Sequence, residues 1–231
     1  MLDRFERIER EVRILRVYAL CISLVLLVAA ATAAVSDRPD EQILRARGIV
    51  IVDGAGRDRI LIGAPIPEAR NRLRTSLSRV DSAWAGSFPK GVYMKYYPTY
   101  RNALSGVLVL DEHGVDRVMI GDSLPDPNIG RRIGSDVGVL INDAQGFERS
   151  GYGLLTVKGR NRVVLGLDTD HGTEGLTLAV IDSGRTGMVV NGPDFFGFLG
   201  AAAARDSLGG VGEPFGGLFL KRGNTIKRIK P

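Results

Sequence analysis

One cysteine, Cys21, and two histidines, His113 and His171, are all that 231 residues contain of those types. A lone cysteine excludes an intrachain disulfide framework and any all-cysteine metal site. Two histidines exclude a three-histidine zinc site within one chain. No Walker Lys-Ser/Thr follows a glycine-rich stretch, so a phosphate cradle is excluded. No nucleophile elbow surrounds any serine. Hydrophobic residues make up 44% and charged residues 25% of the chain. That balance is globular and excludes long disordered tracts or a collagen-like repeat.

The chain also lacks a uniformly basic surface, although its net charge is +5. Residues 1–35 sum to +1 and the tail 221–231 (KRGNTIKRIKP) to +5, which leaves −1 for residues 36–220. A nucleic-acid-binding face is therefore not indicated. The tail reads as a solvated basic end, with anionic partners or lipid headgroups as the other reading.

Val17 to Val35 runs 19 residues without a charge. As a helix it spans about 28 Å, close to the hydrocarbon thickness of a bilayer. Five arginines precede it (Arg4, Arg7, Arg10, Arg13, Arg16), against Arg38, Arg45 and Arg47 after it. That asymmetry places the N-terminus in the cytoplasm and the bulk of the chain outside. Ala31-Thr32-Ala33 fits a signal-peptide cleavage site. The four acids and the length of the leading segment favour an uncleaved anchor instead. Phe5, Ile8, Val12 and Leu15 repeat at coiled-coil spacing. They form either a seam between copies or the apolar face of a helix lying on the inner leaflet.

Outside the anchor a pattern recurs three times at one spacing, G-x4-D-x2-G-x2-R-x3-G. The copies are Gly48, Asp53, Gly56, Arg59, Gly63; Gly106, Asp111, Gly114, Arg117, Gly121; and Gly138, Asp143, Gly146, Arg149, Gly153. An acid precedes each arginine: Asp58, Asp116, Glu148. A β-branched run, a turn opened by Asp and closed by Gly, and a returning apolar run describe a β-hairpin. The arginine on the return strand can reach the turn aspartate or its carbonyls. A feature present in every unit is better explained by folding than by catalysis. Degenerate copies follow around Lys158-Gly159-Arg160, Asp182-Ser183-Gly184 and Arg222-Gly223-Asn224.

The expected fold is mainly β: repeated hairpins forming a roll, prism or sandwich, with one helical insertion. Strands such as Ile49–Val52 and Val107–Leu110 are apolar at every position, as in strands buried on both faces. A monomer of this size has little to cover them with, which points to a homo-oligomer, a trimer being the favoured form.

The insertion over 68–105 differs in composition. Pro67 suits a helix start, and Ala69, Leu73, Leu77, Val80 and Trp84 predict an amphipathic helix to about Trp84. Its opposite face carries Arg70, Arg72, Arg74 and Arg79, and the cluster Tyr93, Tyr96, Tyr97, Tyr100 follows. Exposed Arg and Tyr favour binding, so Arg70, Arg74, Trp84 and the four tyrosines are the candidate recognition residues. The competing reading has the aromatics pinning a helix onto the sheet. Asp168, Asp170 and Glu174, around His171-Gly172, are the only candidate metal ligands, reminiscent of a partial calcium loop. A solvated turn is the plainer reading. The segment 193–216, with Phe195, Phe196, Phe198 and Leu199, breaks the strand pattern.

The parts are then a cytoplasmic amphipathic or coiled-coil helix (1–16), a transmembrane helix (17–35), a first hairpin unit (36–67), the insertion (68–105), hairpin repeats (106–192), and a glycine-rich segment with the last hairpin and basic tail (193–231). The short leading helix, single anchor and G-x4-D-x2-G-x2-R-x3-G units resemble uncharacterised bacterial single-pass membrane proteins over most of 43–192. That resemblance implies no activity. The expected role is a structural scaffold, an accessory subunit or an interaction module in the envelope. Its partners would be the lipid bilayer and either further copies or a membrane complex. The alternative is a glycan-binding protein or hydrolase using the 168–174 cluster. No catalytic residue and no cofactor is assigned.

Overall fold

The computed structural model describes residues 2–36, 43–89, 91–127, 134–182, 184–203 and 214–230. The chain divides into two compact units, Met1–Arg45 and Ala46–Pro231. The first holds α1, Leu2–Ser36, an unbroken helix. Arg7–Ala31 within it is long and apolar enough to cross a membrane. Its 25 residues reach about 38 Å at about 1.5 Å each, more than a hydrocarbon core of about 30 Å requires. Phe5, Ile8, Val12 and Leu15 all lie exposed on it.

Alternating apolar runs and Gly/Asp turns build the second unit as one twelve-stranded antiparallel sheet whose strands lie side by side in chain order. They are β1 Gly48–Val52, β2 Asp58–Gly63, β3 Ser105–Leu110, β4 Asp116–Asp122, β5 Ser135–Asn142, β6 Glu148–Val157, β7 Arg160–Asp168, β8 Glu174–Ile181, β9 Arg185–Gly192, β10 Phe195–Ala202, β11 Phe215–Arg222 and β12 Thr225–Ile229. The mainly β, hairpin-repeat architecture is thus present as a single open sheet of six hairpins. Short helices sit in the connection between β2 and β3: α2 Leu77–Trp84 and α3 Tyr93–Tyr96.

Three repeat positions set the register. The Asp turn ends each full hairpin, and beside it the pairing shifts by one residue, at Ile51/Val52, Val109/Leu110 and Ile141/Asn142. The same shift occurs at Leu167/Asp168. Such bulges accommodate the extra residue that the turn introduces. The outer glycines then line up across the sheet, Gly48, Gly63, Gly106, Gly121, Gly138 and Gly153 in one row. The row continues through Val164 and Ala179 to Gly187, Gly200 and Gly217. At Gly106 and Gly121 the requirement for glycine is steric: φ is +154° and +149°, and a Cβ on Gly106 would sit 2.0 Å from the Ile120 carbonyl oxygen.

One face of β2–β5 is covered by residues 64–104, which cross it as a strap. The strap leaves from β2 with Ile66 N–H donating to Leu104 O (2.8 Å), and reaches the turn edge where Leu73 N–H donates to Gly114 O (2.8 Å). Beneath it Leu61, Leu108, Leu110, Met119 and Leu140 pack with Ile66, Leu104 and Leu124. Further along the same face Phe198, Ala202, Phe215 and Phe219 form a second cluster over β10–β11.

Three sequence expectations change. Helix does not begin after Pro67; α2 starts only at Leu77, preceded by a 3-10 turn at Leu73–Thr75. Arg70 and Asn71 instead form a turn and Arg72 is extended, held by bonds to the sheet described below. Within 193–216, Phe195–Ala202 and Phe215–Arg222 are strands, and the residues between 203 and 214 lie outside the described set. The segment read as a solvated basic tail is in part sheet: Thr225–Ile229 completes the hairpin expected around Arg222-Gly223-Asn224, paired with β11. Its five residues are exposed, which suits charged side chains on an edge.

Gly106→Ala is expected to cost at least about 2 kcal/mol, from strain at positive φ plus the clash. Gly54→Ala, which meets nothing within 4 Å, should change stability little. Urea denaturation of the full-length protein in detergent separates the two.

Candidate functional site

Each repeat turn closes with the same bonds. Asp53 N–H donates to Arg57 O (2.9 Å) and Gly56 N–H to Asp53 O (2.8 Å); Asp111 with Gly114 and Asp143 with Gly146 repeat this. The aspartate Oδ1 accepts two further backbone N–H groups in each case, for example His113 (2.8 Å) and Val115 (2.9 Å) at Asp111. At Asp53 these bonds hold the carboxyl at a pKa of about 2, Arg57 N–H first, then the Arg57 and Arg59 side chains, with burial opposing.

The repeated arginine ties each hairpin to the next. Arg59 Nε donates to Leu110 O (3.0 Å), Arg117 Nε to Asn142 O (3.1 Å) and Arg149 Nε to Asp168 O (3.2 Å). Each also approaches its own turn aspartate: Asp53 at 3.2 Å, Asp111 at 4.0 Å and Asp143 at 3.7 Å. The acceptor is always the residue just before the next turn. That makes residues 168–174 a fourth copy of the turn. Thr169 replaces the aspartate, with its N–H donating to Thr173 O (2.8 Å) and Gly172 N–H donating to Thr169 O (3.4 Å). Glu174 stands where Asp58, Asp116 and Glu148 stand in the other copies. The metal candidates Asp168, Asp170 and Glu174 are thus residues of a structural turn. Asp168 and Glu174 face each other across the hairpin. Among the described residues, no three His, Cys, Asp or Glu side chains converge as a metal-binding group.

The acid before each arginine docks the strap. Asp58 accepts Arg70 N–H (2.7 Å) and Arg70 Nη2 (3.1 Å), and these bonds lower its pKa. Asp58 N–H in turn donates to Asn71 Oδ1 (3.0 Å). Asp116, 0% exposed, accepts a bidentate pair from Arg72: Nε at 2.8 Å and Nη2 at 2.6 Å. Burial works against the charge on Arg72, but Asp116 outweighs it and raises the guanidinium pKa. Arg74 Nε lies 3.4 Å from the same carboxylate. Its Nη2 donates to Gly146 O (2.8 Å), and its guanidinium sits 4.2 Å from the Trp84 ring centroid.

The candidate recognition residues divide accordingly. Arg74, Trp84, Tyr93 and Tyr97 are buried, and Tyr100 is half-buried. Tyr93, Tyr97 and Tyr100 pack ring to ring at 5.4 and 5.2 Å. Tyr97 Oη donates to Arg74 O (2.8 Å) and Trp84 Nε1 to Gln145 O (2.5 Å). Burial pushes the Tyr97 hydroxyl up to about 12, against the opposing charge of Arg74. Only Arg70 and Tyr96 (62% exposed) face solvent. The aromatics pin the strap to the sheet, and Arg72 and Arg74, expected on an outer helix face, turn inward to the buried Asp116.

The surface that the sequence reading missed is the other face of the sheet. Register places Ile49, Ile62, Val107, Ile120, Val139, Tyr152, Leu165, Leu178, Met188, Leu199, Leu218 and Ile229 in one unbroken row over all twelve strands. Beside it runs Ile51, Ile60, Val109, Val118, Ile141, Ser150, Leu167, Leu176, Val190, Gly197, Leu220 and Lys227. None of these residues except Gly197 is buried; Ile141 is 47% and Tyr152 59% exposed. The signal was present in the all-apolar strands, but which residues share a face needed the bulge positions. On the strap side, a groove of about 460 Å³ lies over β6–β10, floored by Gly151, Gly166 and Gly187.

No family model matches the chain, and no curated protein or solved structure compared with it is similar enough to match.

Asp116→Asn should destabilise the protein by about 3–5 kcal/mol, since it leaves Arg72 buried without its counter-charge. Arg117→Ala, which removes one half-exposed bond, should cost about 1 kcal/mol. Thermal unfolding measures both. Tyr97 keeps its proton more tightly when folded, so its contribution is fully present below pH 10, the ordinary tyrosine value, and is lost as pH rises towards about 12. Tyr97→Phe should flatten that part of the alkaline stability profile, followed alongside tyrosinate absorbance.

Proposed function

We propose that this chain is a bacterial envelope protein anchored once in the cytoplasmic membrane. Its N-terminus lies in the cytoplasm and its β-sheet unit outside, where it acts as an interaction module: a scaffold or an accessory subunit. The uncharged stretch Val17–Val35 of α1 and the excess of arginine before that stretch support the topology. The resemblance to single-pass bacterial proteins agrees with it.

The observation that carries the function is the open sheet face. Two aliphatic rows span eleven inter-strand gaps, about 53 Å at about 4.8 Å per gap. With a depth of about 14 Å, the patch covers on the order of 700 Å². Typical monomers expose no contiguous apolar patch larger than about 300–600 Å², and larger ones mark contact sites. The strap, offered by composition as the contact surface, uses most of its aromatics together with Arg70, Arg72 and Arg74 to hold itself down. The contact therefore falls on the opposite face.

Mild-detergent purification of the full-length protein from native membranes, followed by mass spectrometry, tests this. Ile120→Lys with Leu178→Lys should remove whatever co-purifies in stoichiometric amount. Asp168→Ala with Asp170→Ala should leave it unchanged. The reverse pattern would move the function to the 168–174 turn.

A further inference from the structure

We infer that the open apolar face is covered by the same face of a second copy of this chain, the two sheets packing as a two-layer sandwich. The inference rests on the reading of that face as the contact surface and names its occupant.

Three observations select a second copy. The first is area. A stable interface buries about 800 Å² on each partner, and the face supplies on the order of 700 Å² from its two rows alone, with Val137, Leu154, Val163 and Val180 forming part of a third. The second is charge. A bilayer-binding face carries lysine or arginine around its apolar centre, whereas the two complete rows hold one cation, Lys227, on the last strand. The third is shape. The face is a set of parallel aliphatic ridges two residues apart along each strand. A second copy presents ridges of the same spacing, so a two-fold contact is self-complementary. Sheets packed this way lie about 10 Å apart. Two copies anchored by α1 in one membrane meet at raised effective concentration.

Geometry favours two copies over the trimer that composition suggested. Three flat sheets about 53 Å wide, arranged as a prism, would stand about 15 Å from the common axis. Side chains fill only about 5 Å on each side of a sandwich. A trimeric prism would therefore be hollow, while two facing sheets close.

The test uses the full-length protein in nanodiscs, with copy number measured by light scattering. Wild type is expected at two copies per disc. Ile120→Glu, fourth of the twelve residues in the long row, should halve the mass. Tyr96→Glu, on the exposed side of the strap, should leave two. A second readout does not depend on the folding of the Glu variant. On a Cys21→Ser background, Ser150→Cys, central on the open face, should give a dimer band with a short bismaleimide, and Tyr96→Cys should not. A single copy for wild type, three copies, a dimer indifferent to Ile120→Glu, or a Ser150→Cys protein that does not cross-link would each overturn the inference. A single copy that still retains another protein from native membranes would overturn the second copy and leave the contact surface standing. A face-dependent dimer whose native co-purification ignores Ile120→Lys would uphold the second copy and defeat the interaction-module reading.

Discussion

The bulge beside each Asp turn decides which side chains face which way, and everything else in the sheet follows from that. Side chains alternate along a strand, so a slip of one residue exchanges the two faces completely. Here the turn residues fix the slip at four hairpins in succession. The repeated arginine then passes the register on, because its Nε finds a carbonyl at one position of the following hairpin. Each such bond is worth only about 1 kcal/mol net. Their value lies in repetition, since three of them make adjacent hairpins agree on one alignment.

With the register fixed, one face acquires the acids that precede the arginines, and these turn an insertion into a cover. Asp58 and Asp116 lie in adjacent hairpins along one edge, and the strap presents Arg70 and Arg72 to them. A buried ion pair adds little net stability over an apolar pair of the same volume, yet removing one partner is expensive. The arrangement therefore specifies where the strap lies more than it strengthens the fold. The aromatic stack of Tyr93, Tyr97 and Tyr100 supplies the apolar burial that the ion pairs do not.

The hairpin units were legible in the sequence because they are local. Asp, Gly and Arg at fixed offsets encode a turn, a bulge and a reach to a neighbour, all within sixteen residues. The fourth copy escaped notice because Thr169 replaces the aspartate, and its acids drew attention as ligands. The strap was misread for the opposite reason. Its apolar spacing from Ala69 to Trp84 is helical, but the partners that hold Arg70, Asn71 and Arg72 out of a helix lie 12 to 44 residues away in sequence. A periodicity argument sees only neighbours. Charge on a short segment likewise gives no indication of buried carboxylates beneath it, so arginines assigned to solvent proved to be anchors.

The open face follows from the same economy of parts. A single sheet has two faces, and one strap of about forty residues roofs only part of one of them. Strands apolar at every position are stable when both faces are dry. Surface leucines standing alone would need no explanation. One unbroken apolar row and a second interrupted only at Ser150, Gly197 and Lys227 do, because a polar alternative at every second residue would have cost the fold nothing on that side. The two edges of the sheet differ: β1 reads Gly-Ile-Val-Ile-Val and β12 Thr-Ile-Lys-Arg-Ile, each with all five residues exposed. Lys227 on β12 is the one cation in either row, so the two rows become charged only towards that edge. If α1 anchors the chain as proposed, copies confined to one membrane meet the apolar face of a second sheet most readily.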